Sequence, residues 1–165
     1  MITIAGECVE GSGEMVRVLD MTAGSRMMWF DPHNTSAVFV DNRTLDTELC
    51  DGRRLEIKPD VVADFRALPF SDDSFDHVVF DPPHLESLGA SSWTAAKYGA
   101  LLTSWRDDLA EGFRVLKTGG TLVFKWNETQ IPTREVISLA KGGKLLYGHR
   151  SGKSARTHWI VFIKE

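Results

Sequence analysis

The stretch 61-VVADFRALPFSDDSFDHVVFDPP-83 decides the fold. An apolar pair closes on Asp64, a short acidic loop follows, and a second apolar run, 75-FDHVVFD-81, ends on another acid and two prolines. The same punctuation extends in both directions. "VRVLD" (16–20) and "AVFVD" (37–41) lie upstream, and "DVVAD" (60–64) opens the stretch itself. Downstream come "GTLVFKW" (120–126), "KLLYGH" (144–149) and "THWIVFIK" (157–164). These seven runs are predicted strands. Most are too continuously apolar for a sheet with one wet face, so they point to strands buried on both sides, as in parallel sheets.

Helical periodicity falls between the runs. In "SWRDDLAEGFRVLKTGG", Trp105, Leu109, Phe113 and Leu116 recur every three or four residues. Ser104 is a candidate N-cap, and Gly119 with Gly120 a candidate stop. "MMWF" after "AGSR" reads as a short helix curtailed by Pro32, and "PTREVISLA" (132–140) as a last helix with Pro132 near its start. Strands alternating with helices predict an α/β, Rossmann-like, doubly wound and mostly parallel seven-stranded sheet with helices on both faces. The last two strands are separated only by a loop and must form an antiparallel C-terminal β-hairpin. The sixth then runs parallel to the first five, so the loop after it emerges at their carboxyl edge.

Composition sets the outer bounds. With 165 residues, 42% hydrophobic and 25% charged, the chain suits one globular domain over 1–165, with a short N-terminal segment over 1–15. No run approaches the length of a membrane span and no signal-peptide pattern opens the sequence, so a soluble cytoplasmic protein is expected. Cys8 and Cys50 have neither a CxxC spacing nor a histidine pair nearby, and no metal site is expected. Nineteen basic against 23 acidic residues give a net charge of −4, which argues against a surface that grips nucleic acid all over. The C-terminal segment is the exception, collecting Lys141, Lys144, Arg150, Lys153 and Arg156.

In open α/β sheets ligands bind beyond the carboxyl ends of the strands. Asp20, Asp41, Asp64 and Asp81 each close one of the first four strands, which places four carboxylates along that edge. Any one of them alone is explained equally by a helix cap. The first turn, "DMTAGSRMMWF", holds Thr22, Ala23, Gly24 and Ser25, small residues that let backbone approach a ligand, although a plain turn uses them too. Asp41 follows Asp20 by 21 residues, the spacing at which an acid meets ribose hydroxyls in βαβ nucleotide sites.

Five parallel strands with helices followed by a terminal hairpin resemble the class I S-adenosylmethionine-dependent methyltransferases. The acid–"LPF"–"SFD" run within 64–76 resembles the family most closely. By that resemblance the cofactor is S-adenosylmethionine, held by Asp20, the turn from Thr22 to Ser25, and Asp41. Asp64 would meet the adenine amine with Phe65 as an apolar neighbour, where a capped strand end and a core phenylalanine are the plainer alternative. Asp81-Pro82-Pro83-His84 resembles the DPPY-type motif of methyltransferases that act on exocyclic amines of adenine or cytosine in nucleic acid, DNA more than RNA. In that role the Asp81 carboxylate and the Pro82 carbonyl accept hydrogen bonds from the amine, and both prolines stiffen the corner. His84 replaces the usual aromatic.

Beyond the corner, residues 85–104 read either as a lid or as a helix packed by Trp93. Candidate substrate contacts are Tyr98, Trp126, which is equally a core residue, and Arg150, Lys153 and Arg156 for phosphates. Compact phage and prophage proteins with "HRSGK" and "THW" near the C-terminus are similar to this chain. With no room for a target-recognition domain, a second copy or a partner subunit would supply target choice. Two rivals stay open: a small-molecule or protein amine as acceptor, and a catalytically silent binding module of the same fold.

Overall fold

A computed structural model describes residues 16–49, 51–84, 108–150, 152 and 156–165. Expectations for Cys8, Cys50, Trp93, Tyr98, Ser104, Trp105 and Lys153 fall outside these residues. Seven strands form one sheet: β1 (Val18–Asp20), β2 (Ala37–Asp41), β5 (Val61–Val62), β6 (Phe75–Phe80), β7 (Leu116–Asn127), β8 (Gly143–Arg150) and β9 (Thr157–Lys164). Their spatial order is β5-β2-β1-β6-β7-β9-β8. The first five pair in parallel, and β9 pairs antiparallel with both β7 and β8. The chain leaves β1 in both directions, toward β2 and toward β6. That reversal falls at the carboxyl ends of β1 and β6, the place where open α/β sheets bind ligands.

Two further strands, β3 (Leu45–Glu48) and β4 (Arg54–Ile57), were not foreseen. They form an antiparallel hairpin inside the β2–β5 crossover and bury Leu55 and Ile57. The signal was there in Asp51-Gly52, a hairpin dipeptide, and Gly52 has φ +80°.

The helices α1 (Asp108–Val115) and α2 (Thr133–Ser138) belong to the second half of the sheet. α1 lies close against it: a Cβ on Gly112 would come within 2.9 Å of Leu122 Cδ1. Its Phe113 meets Phe162 edge-on at 5.8 Å. Arg114 then ties the β5–β6 loop to the helix, donating to the Leu68 and Phe70 carbonyls and pairing with Asp72 and Glu111. Within the sheet a ring series runs Phe65, Phe80, Phe124, Trp126, with centroids 5.4 to 5.6 Å apart. No described helix is long and apolar enough to cross a membrane.

Two local expectations are corrected. "MMWF" is not helical. Gly24 (φ +52°) and Arg26 (φ +56°) are left-handed, so the segment winds as i→i+3 turns, with Arg26 N–H donating to Ala23 O and Trp29 N–H to Arg26 O. Gly119 and Gly120 do not stop a helix, because β7 begins at Leu116, directly after α1. They form a bulge. Two steps along β6, from Phe75 to His77, are matched by five along β7, from Leu116 to Thr121. Gly119 takes φ +81°, and a Cβ on Gly120 would meet the Asp76 carbonyl at 2.8 Å.

Candidate active site

The four strand-end acids share the carboxyl edge. Asp20 and Asp41 are the last residues of β1 and β2, Asp81 directly follows β6, and Asp64 lies two residues past β5. Asp20 is 1% exposed. Its two oxygens accept from Trp29 Nε1 at 2.7 Å and Thr22 N at 3.2 Å. Burial pushes its carboxyl up to about 6, against those two hydrogen bonds and with help from the nearby Asp81 and Asp41 carboxylates. No lysine or arginine bonds to it among the described residues. Such a buried acid, flanked by like charges, favours a cationic ligand.

The turn after β1 is shaped around this acid. Gly24 N–H donates to Asp41 Oδ2 at 3.0 Å, and Ala23 is buried against Phe39. The Asp81 N–H donates to Thr22 Oγ1 at 2.9 Å, which ties the turn to the proline corner. Ser25 is half-buried and, with Gly24, Arg26, Arg53 and Lys58, lines a groove of about 770 Å³ toward the β3–β4 hairpin. Arg26 is spent there on structure: it donates to the Pro32 and Lys58 carbonyls and pairs with Asp60.

Asp41 and Asp64 are held differently. In each, the arginine two residues on forks back: Arg43 donates N–H and Nε to Asp41 Oδ1, and Arg66 does the same to Asp64 Oδ1. Arg66 thereby keeps the Asp64 carboxyl below its ordinary range. Neither arginine was singled out from the sequence, although the Asp-x-Arg spacing in "DNR" and "DFR" was its signal. Phe65 turns inward and packs on Phe80, the plainer of its two readings.

At the corner, Lys125 of the neighbouring strand reaches Asp81 Oδ2 at 2.5 Å. Oδ1 accepts no hydrogen bond from a described residue. Burial raises the Asp81 carboxyl, and the Lys125 charge and hydrogen bond oppose that rise. His84 is half-buried; burial lowers its imidazole, the Asp81 charge works the other way, and the ring stays neutral near pH 7. Trp126 is 1% exposed and belongs to the core, with Nε1 donating to Ile131 O and its ring edge-on to His84 at 6.4 Å. It backs the corner from the core side. Arg150 and Arg156 are exposed at the same edge. Arg150 lies 3.6 Å from Glu128, which is also 2.9 Å from His158 Nε2, outside hydrogen-bond geometry.

Neither a protein-family model nor a curated protein sequence matches the chain. Solved structures do. A TehB-like SAM-dependent methyltransferase from Corynebacterium glutamicum is 16% identical, with 93% of this chain and 83% of that one covered and a TM-score of 0.58. The N-methyltransferase NodS from Bradyrhizobium japonicum is 16% identical over 90% and 85%, also at 0.58. The fold is that of these methyltransferases. A Burkholderia thailandensis 1,6-didemethyltoxoflavin-N1-methyltransferase, with its substrate and S-adenosylhomocysteine bound, is 14% identical over 89% and 70%, at 0.58. At these identities the likeness concerns architecture, and the side chains of the edge speak for themselves.

Proposed function

We propose that the protein is an S-adenosylmethionine-dependent methyltransferase acting on the exocyclic amine of a nucleic-acid base. One observation carries the reading: the Asp81-Pro82-Pro83-His84 corner stands at the reversal point of the sheet, its carboxylate anchored through Oδ2 and its backbone pinned to Thr22. The charge of the edge fits the cofactor, which is cationic, because Asp20 is a buried acid with no basic side chain bonded to it among the described residues. Asp20, Asp41 and the Gly24 turn would hold the amino-acid and ribose ends, and Asp64 the adenine. When bound, S-adenosylmethionine supplies a sulfonium methyl: the amine lone pair forms the N–C bond, sulfur keeps the electrons of the broken C–S bond, and the surplus proton on nitrogen leaves to water.

The chain's own part is alignment. A base amine is a weak nucleophile because its lone pair is delocalised into the ring. Two fixed acceptors, Asp81 Oδ1 and the Pro82 carbonyl, accept hydrogen bonds from its N–H groups and turn the lone pair outward. Asp81 is held through Oδ2 by Lys125, and the Pro82 carbonyl is shared with the His84 ring. The base reaches such a corner only when swung out of its stack. Arg150 and Arg156 sit where a phosphate backbone would pass, and a second copy or partner subunit would extend that footprint.

A small-molecule amine is the second reading. It is favoured by the Arg150–Glu128 contact, which occupies one of the proposed phosphate-binding cations, and by the net charge of −4. The deciding experiment is transfer of a labelled methyl from S-adenosylmethionine to single-stranded DNA, duplex DNA, RNA and a metabolite extract. Label in nucleic acid supports the first reading, and label only in metabolites supports the second. No calorimetric binding of the cofactor at high micromolar concentration would sink both.

A further inference from the structure

The Asp81–Lys125 pair bears on which amines the corner accepts; this inference rests on the methyltransferase reading. Register sets the pair. Phe80 lies across from Phe124, so Lys125 on β7 comes opposite Asp81 just past the end of β6. Its Nζ is 2.5 Å from Asp81 Oδ2 and 5.5 Å from the centre of the Trp159 ring on β9. The lysine is thus held between the corner and the opposite strand.

Among the described residues, the charges around Asp81 are few. β1 contributes Asp20, β2 contributes Asp41 with Arg43 forked onto it, β7 contributes Lys125, and His84 follows on the corner itself. With a cationic cofactor beside Asp20, each of the four strand-end acids has one cation: the cofactor for Asp20, Arg43 for Asp41, Arg66 for Asp64 and Lys125 for Asp81. Among the described residues, no strand-end carboxylate is then left to draw in a second cation. An alkylammonium group, protonated near neutral pH, would also have to shed its proton next to Lys125 before it had a lone pair to offer.

We propose that Lys125 is a positioning and specificity-determining residue, which fixes Asp81 through Oδ2, leaves Oδ1 for a neutral aromatic amine, and turns alkylammonium groups away. A merely structural lysine would affect folding and leave acceptor choice and pH dependence alone.

The test compares the unsubstituted protein with Lys125→Met and Lys125→Arg. Labelled-methyl transfer is measured with a single-stranded oligonucleotide and with a lysine-rich peptide, from pH 5 to pH 9. In Lys125→Met the oligonucleotide-to-peptide preference should fall about tenfold or more, since like-charge repulsion at close range is lost. Its acid limb should move up by about 1 pH unit or more, because an opposite charge at this distance holds a carboxyl down by about that much. Lys125→Arg should restore both. Unchanged preference and unchanged limb in a folded Lys125→Met overturn the inference and leave the methyltransferase reading standing.

If the unsubstituted protein transfers methyl to neither acceptor, the nucleic-acid reading is the one in trouble, and NMR still decides the pair. In the unsubstituted protein the Lys125 Nζ ¹⁵N signal should move as the Asp81 carboxyl ¹³C signal titrates. A Lys125 signal that ignores the Asp81 titration overturns the pairing.

Discussion

The inner strand ends, of β1 and β6, and the outer ones, of β2 and β5, carry the same side chain in different states. Asp20 and Asp81 sit over the centre of the sheet, where burial raises both carboxyls. Asp41 and Asp64 lie farther out, and each is clasped by the arginine two residues on. Each outer acid has its own arginine two residues on. Neither inner acid has one: Asp20 relies on Thr22 and Trp29, and Asp81 on Lys125 from the neighbouring strand. Reactive groups belong where partners are few and come from elsewhere in the chain, because there a ligand can change the state of the acid.

This contrast can be broken experimentally. The largest effect is expected at Asp81: Asp81→Ala should cut methyl transfer by about 100-fold or more, the range for loss of a preorganised polar group, while calorimetry shows cofactor affinity nearly unchanged. Equal loss of binding would mean that the corner serves the cofactor and not the acceptor.

Asp20 comes next. Its folded carboxyl titrates near 6 against 3.8 for the free side chain, so the folded state holds the proton more tightly. The stability this contributes is full below pH 3.8, declines as pH rises, and is gone above about 6. It amounts to about 3 kcal/mol at most. Urea midpoints of the wild type relative to Asp20→Asn, taken from pH 3.5 to 8, should show that decline. A cation bound beside Asp20 lowers its pKa, so S-adenosylmethionine binding near pH 6 should release protons, measurable as a buffer-dependent calorimetric enthalpy.

The outer pair should respond less. Arg43→Ala strands the Asp41 carboxylate, which is 7% exposed, and should cost about 1–2 kcal/mol. Arg66→Ala should cost under about 1 kcal/mol, because the Asp64 side chain is 33% exposed. Equal urea shifts for the two variants would contradict the burial ranking. Smallest is His84→Phe: the imidazole is neutral near pH 7, so transfer should change by no more than about fivefold, with its pH profile above 7 unaltered.

What the sequence revealed, and what it hid, follows the range of the interaction. Strand-end acids were legible because a short apolar run closing on a charge is a local pattern, and "VVFDPPH" is rigid whatever surrounds it. Gly119 and Gly120 were noticed for the wrong reason, since a glycine pair after a helical pattern looks like a stop until the parallel neighbour demands a bulge. Lys125 stood in plain view on "FKWN", but its partner depends on inter-strand register, which no local pattern encodes. The Asp-x-Arg forks were local and still missed, because arginine two residues from an acid is common in loops. The β3–β4 hairpin hid behind its polar outer face, with only Leu55 and Ile57 of its second strand turned inward.

The bulge in β7 carries one more implication. Side chains on a strand alternate between faces, and the bulge adds an odd number of residues relative to β6, so it acts as a parity switch for everything downstream. Deleting one residue there would offer Trp126 to the place that Lys125 now fills, and would aim Lys125 into the aromatic core. Deleting two would keep each residue on its own side and only shorten the excursion. Length variation in this segment should therefore be tolerated in steps of two and rejected in steps of one, a counting rule imposed by the pleat on a loop that touches no ligand.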